Sequence, residues 1–332
     1  MPTAAPRIAL TFGDFSGVGP ELAVRLLAEP GNLEKARISA LVSRAEFDHA
    51  CEAAGVTVPV ADEPRTGAVH LVGSPLQDIE VPAREMSVDA GTRVMKDLEK
   101  ALAMYRNGEA DSIMFLPLNK TSLHLAGMHE EDELRWFAKE LDFDGFTSEL
   151  NFIPGLTTSR VTSHISISEV AQHISADRVR RAICLLHSVV LGTGVEKPRI
   201  AVAALNPHAG ENGQFGREEI DHIAPGVELA RDIDGFDVAG PYPSDTLFIK
   251  ARNGEFDGVV TMYHDQGQIA LKLMGFDQGV TVQGGLPVPI ATPAHGTAYE
   301  IVGLNKAHLG PSQHAFDIAV GLGAQTAERA HA

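Results

Sequence analysis

Phe256-Asp257-Gly258-Val259-Val260-Thr261-Met262-Tyr263-His264-Asp265-Gln266-Gly267 passes from an apolar, β-branched run into a polar turn. Residues 256–261 read as a buried strand, and residues 268–274 as a short helix closing at Gly275. His264, Asp265 and Gln266 thus sit where a strand hands over to a helix. In a parallel α/β sheet, that carboxyl edge is where ligands bind. A His followed by an Asp there points to a metal ligand or a general base; a polar surface turn is the bland alternative.

The same grammar recurs along the chain. Residues 7–12 read as a strand, followed by Gly13-Asp14-Phe15-Ser16-Gly17-Val18-Gly19-Pro20-Glu21. Pro20 suits a first helical turn, and Glu21 the positive end of the helix. This turn is neither G-x-G-x-x-G nor a P-loop. Strands are expected at 38–42, 68–72, 112–116, 160–164 and 199–205. Helices are expected at 44–54, 89–107, 168–173, 177–189, 218–231 and 316–329, with Val94, Leu98, Leu102 and Tyr105 as core positions. Residues 143–158, rich in Gly, Pro and Thr, read as irregular. Residues 241–248 read as a turn containing Asp245, and residues 293–301 as the entry to a helix. Lys120 follows a strand end. The acidic run 129–133 reads as a solvated helix start. Strands alternating with helices make this a parallel α/β protein.

With 332 residues, the chain has room for one large or two medium domains. A formal net charge of −17 argues against nucleic acid and anionic membrane as partners. Cys51 and Cys184, the only cysteines, form no disulfide framework. Residues 1–6 lack the pattern of a secretory leader, and no apolar run reaches membrane-spanning length. A cytoplasmic location is expected.

His164, His208 and His264 share one context: each follows an apolar run and precedes a turn or helix. Among 14 histidines, one such placement is unremarkable, but three point to a shared site. Imidazole binds borderline divalent ions, and three His with an open position is a catalytic arrangement for Zn²⁺ and its neighbours. Such an ion can generate hydroxide or polarise a hydroxy acid, and the pattern alone does not separate these.

Taken together, several motifs resemble one family. Residues 13–21 resemble the GDPAGIGPE opening of the 4-hydroxythreonine-4-phosphate dehydrogenase family of vitamin B6 biosynthesis. Residues 205–211 (Leu-Asn-Pro-His-Ala-Gly-Glu) resemble its LNPHAGE, residues 244–248 its ADTLF, Met262 to Gly267 its MYHDQG, and His295 to Ala298 its HGTA. The anchors run in the family's order over nearly the whole chain. The resemblance implies an α/β, two-domain fold like the isocitrate and isopropylmalate dehydrogenases, with mainly parallel sheets. It implies one domain from residues 1–125 and 291–332, and a second from 126–290 carrying the metal ligands and a homodimer interface. The active site would lie in the interdomain cleft at that interface. His164, His208 and His264 match the family's metal ligands, for Zn or for Mg, Mn, Co, Ni or Fe. His295, Gly296, Thr297 and Ala298 match a segment binding the adenosine part of NAD. Asp245 and Lys272 match substrate contacts, and either is left to handle protons. The implied chemistry is oxidation of a hydroxy acid by NAD⁺, then decarboxylation of the β-keto acid.

The chain departs from that family where substrate is gripped. A GHTEF-like segment corresponds to Asp132-Glu133-Leu134-Arg135-Trp136-Phe137, so its His becomes Glu133 and its Thr becomes Leu134. A family Asn corresponds to Thr281, and an Arg that holds phosphate corresponds to Ile290. Losing His and Arg while gaining Glu is the wrong direction for a dianion. The expectation is therefore a non-phosphorylated hydroxy acid, such as a cis-dihydrodiol aromatic carboxylate of the terephthalate type, whose carboxylate Arg135 would pair with; a surface ion pair of Arg135 with Glu131, one helical turn back, is the equal alternative. The alternatives are the B6-pathway dehydrogenase itself and a non-catalytic ligand-binding homologue.

Overall fold

A computed structural model describes residues 5–275 and 278–331; residues 1–4, on which most of the leader expectation rests, lie outside them. In chain order the strands are β1 (Arg7–Thr11), β2 (Arg37–Leu41), β3 (Val60–Ala61), β4 (Val69–Leu71), β5 (Ser112–Phe115), β6 (Ser148–Ile153), β7 (Leu156–Arg160), β8 (Ile200–Ala203), β9 (Val238–Tyr242), β10 (Gly258–Thr261), β11 (Val280–Gly284) and β12 (Ile290–Pro293). The chain forms two compact units. Both chain ends build the first, up to Asp144 and from Leu286, and Gly145–Gly285 build the second. The sequence places these boundaries at 125/126 and 290/291. The chain stays in the first unit longer because the helices Lys120–Leu125 and Glu133–Glu140 belong to it, with Leu123, Trp136 and Phe137 in its core. It re-enters early enough for Val288 to join the same core.

In the first unit the strand order is β3-β4-β2-β1-β5-β12, and every neighbouring pair is parallel. Near-continuous burial along β1, β2, β5 and β12 is the signature of a sheet covered on both faces. The helix Arg44–Ala54 forms where expected because Ser43 and Glu46 make a reciprocal capping box, worth about 1 kcal/mol. The helix Val88–Arg106 is capped by Ser87, whose Oγ accepts from Ala90 N at 3.0 Å. It buries Val94, Leu98 and Leu102 against β5 residues Ile113 and Phe115.

In the second unit the order is β11-β6-β7-β10-β8-β9. The strands β7, β10, β8 and β9 are parallel, while β11–β6 and β6–β7 are antiparallel. Ile153, Leu156, Ala201, Val259, Leu247 and Leu271 form a core beside them. Of the expected irregular stretch 143–158, residues 143–147 carry no helix or strand, but from Ser148 on the chain forms the β6–β7 hairpin, turning at Pro154-Gly155 with Gly155 at φ 80°. Its composition masks an alternation in which Ser148, Leu150 and Phe152 are buried and Glu149 and Asn151 are half-buried. The strand expected at 160–164 ends at Arg160. The stretch 241–248 is the end of β9 followed by the helix Ser244–Arg252, which Pro243 permits by preceding the first turn. The helices expected at 168–173 and after 298 are single 3₁₀ turns, Val170–His173 and Tyr299–Ile301. No described helix is long and apolar enough to cross a membrane.

Candidate active site

In the second unit β10 lies between β7 and β8, and all three are parallel. The register pairs Thr261 with Arg160 and Val260 with Val202, so the three strands end nearly level. The chain leaving those ends carries His164 after β7, His264 after β10 and His208 after β8. The His164 and His264 rings lie with centroids 5.6 Å apart. The His208 ring lies 6.2 Å from the ring of Phe215. His164 and His208 are exposed and His264 is half-buried.

Each loop is held by a specific device. His264 Nδ1 lies 2.7 Å from Asp265 Oδ1. A carboxylate there accepts a hydrogen bond from Nδ1–H, which fixes that tautomer and leaves the Nε2 lone pair for an electrophile. Gln266 ties the stretch down: Met262 N donates to its Oε1 (2.6 Å), and its Nε2 donates to Ala204 O (2.7 Å) and Ser244 Oγ (2.8 Å). That clamp joins the end of β8 to the helix that starts beside Asp245.

The His208 loop is strained. Residues 208–212 all have positive φ, from 41° at Glu211 to 78° at Gly210. For each of the four non-glycine residues that costs roughly 1–2 kcal/mol. Buried Glu219 anchors the base of the loop, accepting from Leu205 N (2.8 Å), Asn206 N (2.7 Å) and Asn206 Nδ2 (3.0 Å). A Cβ on Gly210 would sit 2.7 Å from Glu219 Oε2 and 3.0 Å from the backbone Gly216 O, so a larger residue there would push on the anchor. Neither Gln266 nor Glu219 stands out as a clamp in sequence, since their partners, Met262 apart, lie 13 or more residues away.

A third device centres on Arg160 at the end of β7. Its Nε donates to Ser163 Oγ (3.0 Å), its Nη1 donates to Asn151 Oδ1 (3.1 Å), and its Nη2 pairs with Glu149. Asn151 Oδ1 also accepts from Gln268 Nε2 (2.7 Å), and its Nδ2 donates to Thr281 Oγ1 (3.2 Å). Thr281 and Asn151 are direct cross-strand partners.

Of the other expected contacts in this unit, Lys272 is exposed on the helix His264–Gly275, one turn beyond Gln268. Asp245 is exposed in the first turn of its helix.

In the first unit the loop after β1 meets the segment after β12. Val18 N donates to Thr297 O (3.0 Å), and the Tyr299 hydroxyl donates to Asp14 Oδ2 (3.0 Å). A Cβ on Gly17 would lie 2.7 Å from Thr297, which requires glycine at that crossing. Burial pushes the Asp14 carboxyl up, against the Ser16 and Tyr299 donors that lower it. Burial likewise pushes the His295 imidazole down. His295 Nε2 is buried without a hydrogen-bond partner, and a Cβ on Gly296 would meet open space. The segment thus offers an unused polar atom beside room for a ligand, which fits a nucleotide cofactor.

Glu133 opens its helix behind Asp132, whose Oδ1 accepts from Arg135 N (2.8 Å). The Glu133 carboxylate is largely buried, 3.6 Å from Lys120 Nζ. Arg135 is exposed on the same helix, and Leu134 is buried. Ile290, expected as a substrate contact, is instead a core residue: it is fully buried on β12, beside Ile113 and Val288. A β-branched side chain in a sheet covered on both faces has no surface to offer a ligand.

The known proteins agree with these motifs. The profile of the family described as pyridoxal phosphate biosynthetic protein PdxA matches residues 28–319. A Pseudomonas aeruginosa protein named "Putative 4-hydroxythreonine-4-phosphate dehydrogenase 2" is 48% identical over 331 residues, 96% of this chain and 97% of that protein. The D-threonate 4-phosphate dehydrogenase of Pectobacterium atrosepticum is 36% identical over 310 residues, 90% of this chain and 94% of that one. The crystal structure of a 4-hydroxythreonine-4-phosphate dehydrogenase from Burkholderia phymatum superposes with a TM-score of 0.79 at 33% identity, covering 96% of this chain and 98% of that one. With its strand-end histidines, its Gly17–Thr297 crossing and relatives that are dehydrogenases along nearly their whole length, the chain belongs to the PdxA family and is a dehydrogenase.

Proposed function

We propose that this dehydrogenase oxidises the hydroxyl of a small hydroxy acid with NAD and one divalent metal, and that the resulting β-keto acid loses CO₂. The observation that carries this is the placement of His164, His264 and His208 at the ends of three adjacent parallel strands, with Asp265 orienting the His264 ring. That donor set suits Zn²⁺ or another borderline divalent ion. When bound, such an ion supplies Lewis acidity at the substrate oxygens. Lys272 and Asp245, both exposed in the second unit, are the groups left to move protons through a water. Thr281 accepts from Asn151, so its own hydroxyl proton is free to be donated to a substrate oxygen. Thr297 and His295 in the first unit hold the nucleotide.

The acid's third group divides two readings. Glu133, in the position of a family substrate-gripping His, disfavours a phosphate dianion and supports a non-phosphorylated substrate such as a dihydrodiol carboxylate. Relatives named for D-threonate 4-phosphate and 4-hydroxythreonine-4-phosphate favour a phosphorylated hydroxy acid, with Lys120 offsetting Glu133. The test is NADH formation with Mn²⁺ or Zn²⁺ over paired phosphorylated and non-phosphorylated hydroxy acids. Turnover confined to the phosphorylated set removes the first reading. NADH formation that persists undiminished after exhaustive chelation removes the metal. A chain that neither binds NAD nor turns over any acid is a binding homologue.

A further inference from the structure

Arg160 ends β7, four residues before His164, and its partners are Ser163, Asn151 and Glu149. Its side chain is only 4% exposed. One guanidinium edge holds Ser163, the residue before His164. Another holds Asn151, which in turn holds Gln268, one helical turn after His264 and one before Lys272. The same Asn151 holds Thr281 on β11. The remaining edge is neutralised by Glu149. A lysine cannot replace this arrangement, since one ammonium on a flexible stem cannot span three acceptors in fixed directions.

We propose that Arg160 is the positioning residue of the site: through Ser163 and Asn151 it sets the spacing of His164 and His264 and the placement of Lys272 and Thr281. Burying a guanidinium is costly unless every bond is made, so the hub has one low-energy arrangement and imposes it on the loop, the helix and the strand at once. The proposal rests on the metal reading of the histidines for its affinity readout, but not for its geometry.

Removing Arg160 alone would strand the Glu149 carboxylate, so the informative variant replaces both, Arg160→Met with Glu149→Met, because exchanging a whole buried ion pair for apolar side chains often leaves the fold intact. Metal-free wild type and variant are titrated with Mn²⁺ and Zn²⁺ by calorimetry, and the Co²⁺ forms are compared by visible absorption. The His164 and His264 Cε1–H resonances are assigned with His164→Gln and His264→Gln and followed by NMR. The expected result is a folded variant whose metal affinity falls by about tenfold or more, as for lost outer-shell support, with an altered Co²⁺ spectrum and shifted resonances for both histidines. Arg160→Lys should show the same loss despite keeping the charge. A folded double variant with wild-type metal affinity and unmoved histidine resonances overturns the proposal. If wild type itself binds no metal, the metal reading falls, and the resonances alone decide the hub: shifts in both sustain it and none overturns it. If the double variant does not fold, Arg160→Lys decides on the same readouts.

Discussion

The His164 and His264 imidazoles lie 5.6 Å apart between centroids and are tilted by 46°, although 100 positions separate them in sequence. Parallel pairing of β7 with β10 brings them together, and Asp265 holds one of them in a fixed orientation.

His264→Ala should therefore abolish metal binding, and Asp265→Ala should weaken it by about 10- to 100-fold, since the ring would keep its position but lose its orienting partner. Titration of the metal-free proteins by calorimetry measures both. The two variants should keep the wild-type far-ultraviolet circular dichroism, because neither side chain belongs to the core. Equal metal affinity in wild type and His264→Ala would remove this histidine from the ligand set.

Gly17→Ala tests the crossing in the first unit. Its Cβ would meet both Cβ and O of Thr297 at 2.7 Å, contacts that backbone cannot escape by a rotamer change. Overpacking of this kind costs about 1–3 kcal/mol, so the thermal midpoint should drop. NAD affinity, read by quenching of Trp136 or by calorimetry, should fall more than stability alone requires, because the displaced segment is His295 to Ala298. Unchanged NAD binding would separate that segment from the cofactor.

The pH response has a local origin in Asp97. Burial pushes its carboxyl from an ordinary 3.8 up to about 6, against the lowering influence of Ser74 and Arg93. A carboxyl raised in this way holds its proton more tightly when folded than when unfolded. Between these two pH values the folded chain binds more protons, and stability falls as pH rises through the window. Asp97→Asn keeps an acceptor for Ser74 Oγ, 2.5 Å from Asp97 Oδ1, and removes the titration. Its advantage over wild type should grow from pH 4 to pH 6, reaching at most about 3 kcal/mol, less whatever the 3.7 Å approach to Arg93 supplies. Parallel denaturant unfolding across that range measures it. A constant difference would mean Asp97 does not titrate there.

What sequence could and could not disclose follows from the range of the interactions. The helix Arg44–Ala54 is legible because its cap, Ser43 with Glu46, spans only four residues. The three histidines are legible because each follows a buried strand, itself a local pattern. The β6–β7 hairpin is not, since Ser148 and Thr157 break its apolar pattern and are buried only by their sheet neighbours. Arg160, Asn151 and Glu219 look like ordinary polar residues until strand pairing brings their partners within reach. Correspondence with a family arginine makes Ile290 a pocket position on paper, whereas packing beside Ile113 makes it core.

The helix that opens with His264 also presents an apolar face that its own unit leaves uncovered. Ile269 is 60% and Leu273 84% exposed, one turn apart on that helix. Side chains of this size, adjacent at i and i+4, make an exposed apolar pair on which an association surface could be built. A homodimer using this pair would bring a second copy next to Lys272, which neighbours Leu273. Leu273→Glu should then shift the protein from dimer to monomer in sedimentation velocity at micromolar concentration, because burying an unpaired carboxylate in an apolar contact costs more than a small interface returns. The far-ultraviolet spectrum should not change, as Leu273 contributes nothing to the core. Activity should fall with the dimer fraction and recover as protein concentration is raised. A variant that stays dimeric would place the interface elsewhere. A wild type that sediments as a monomer would remove the homodimer altogether.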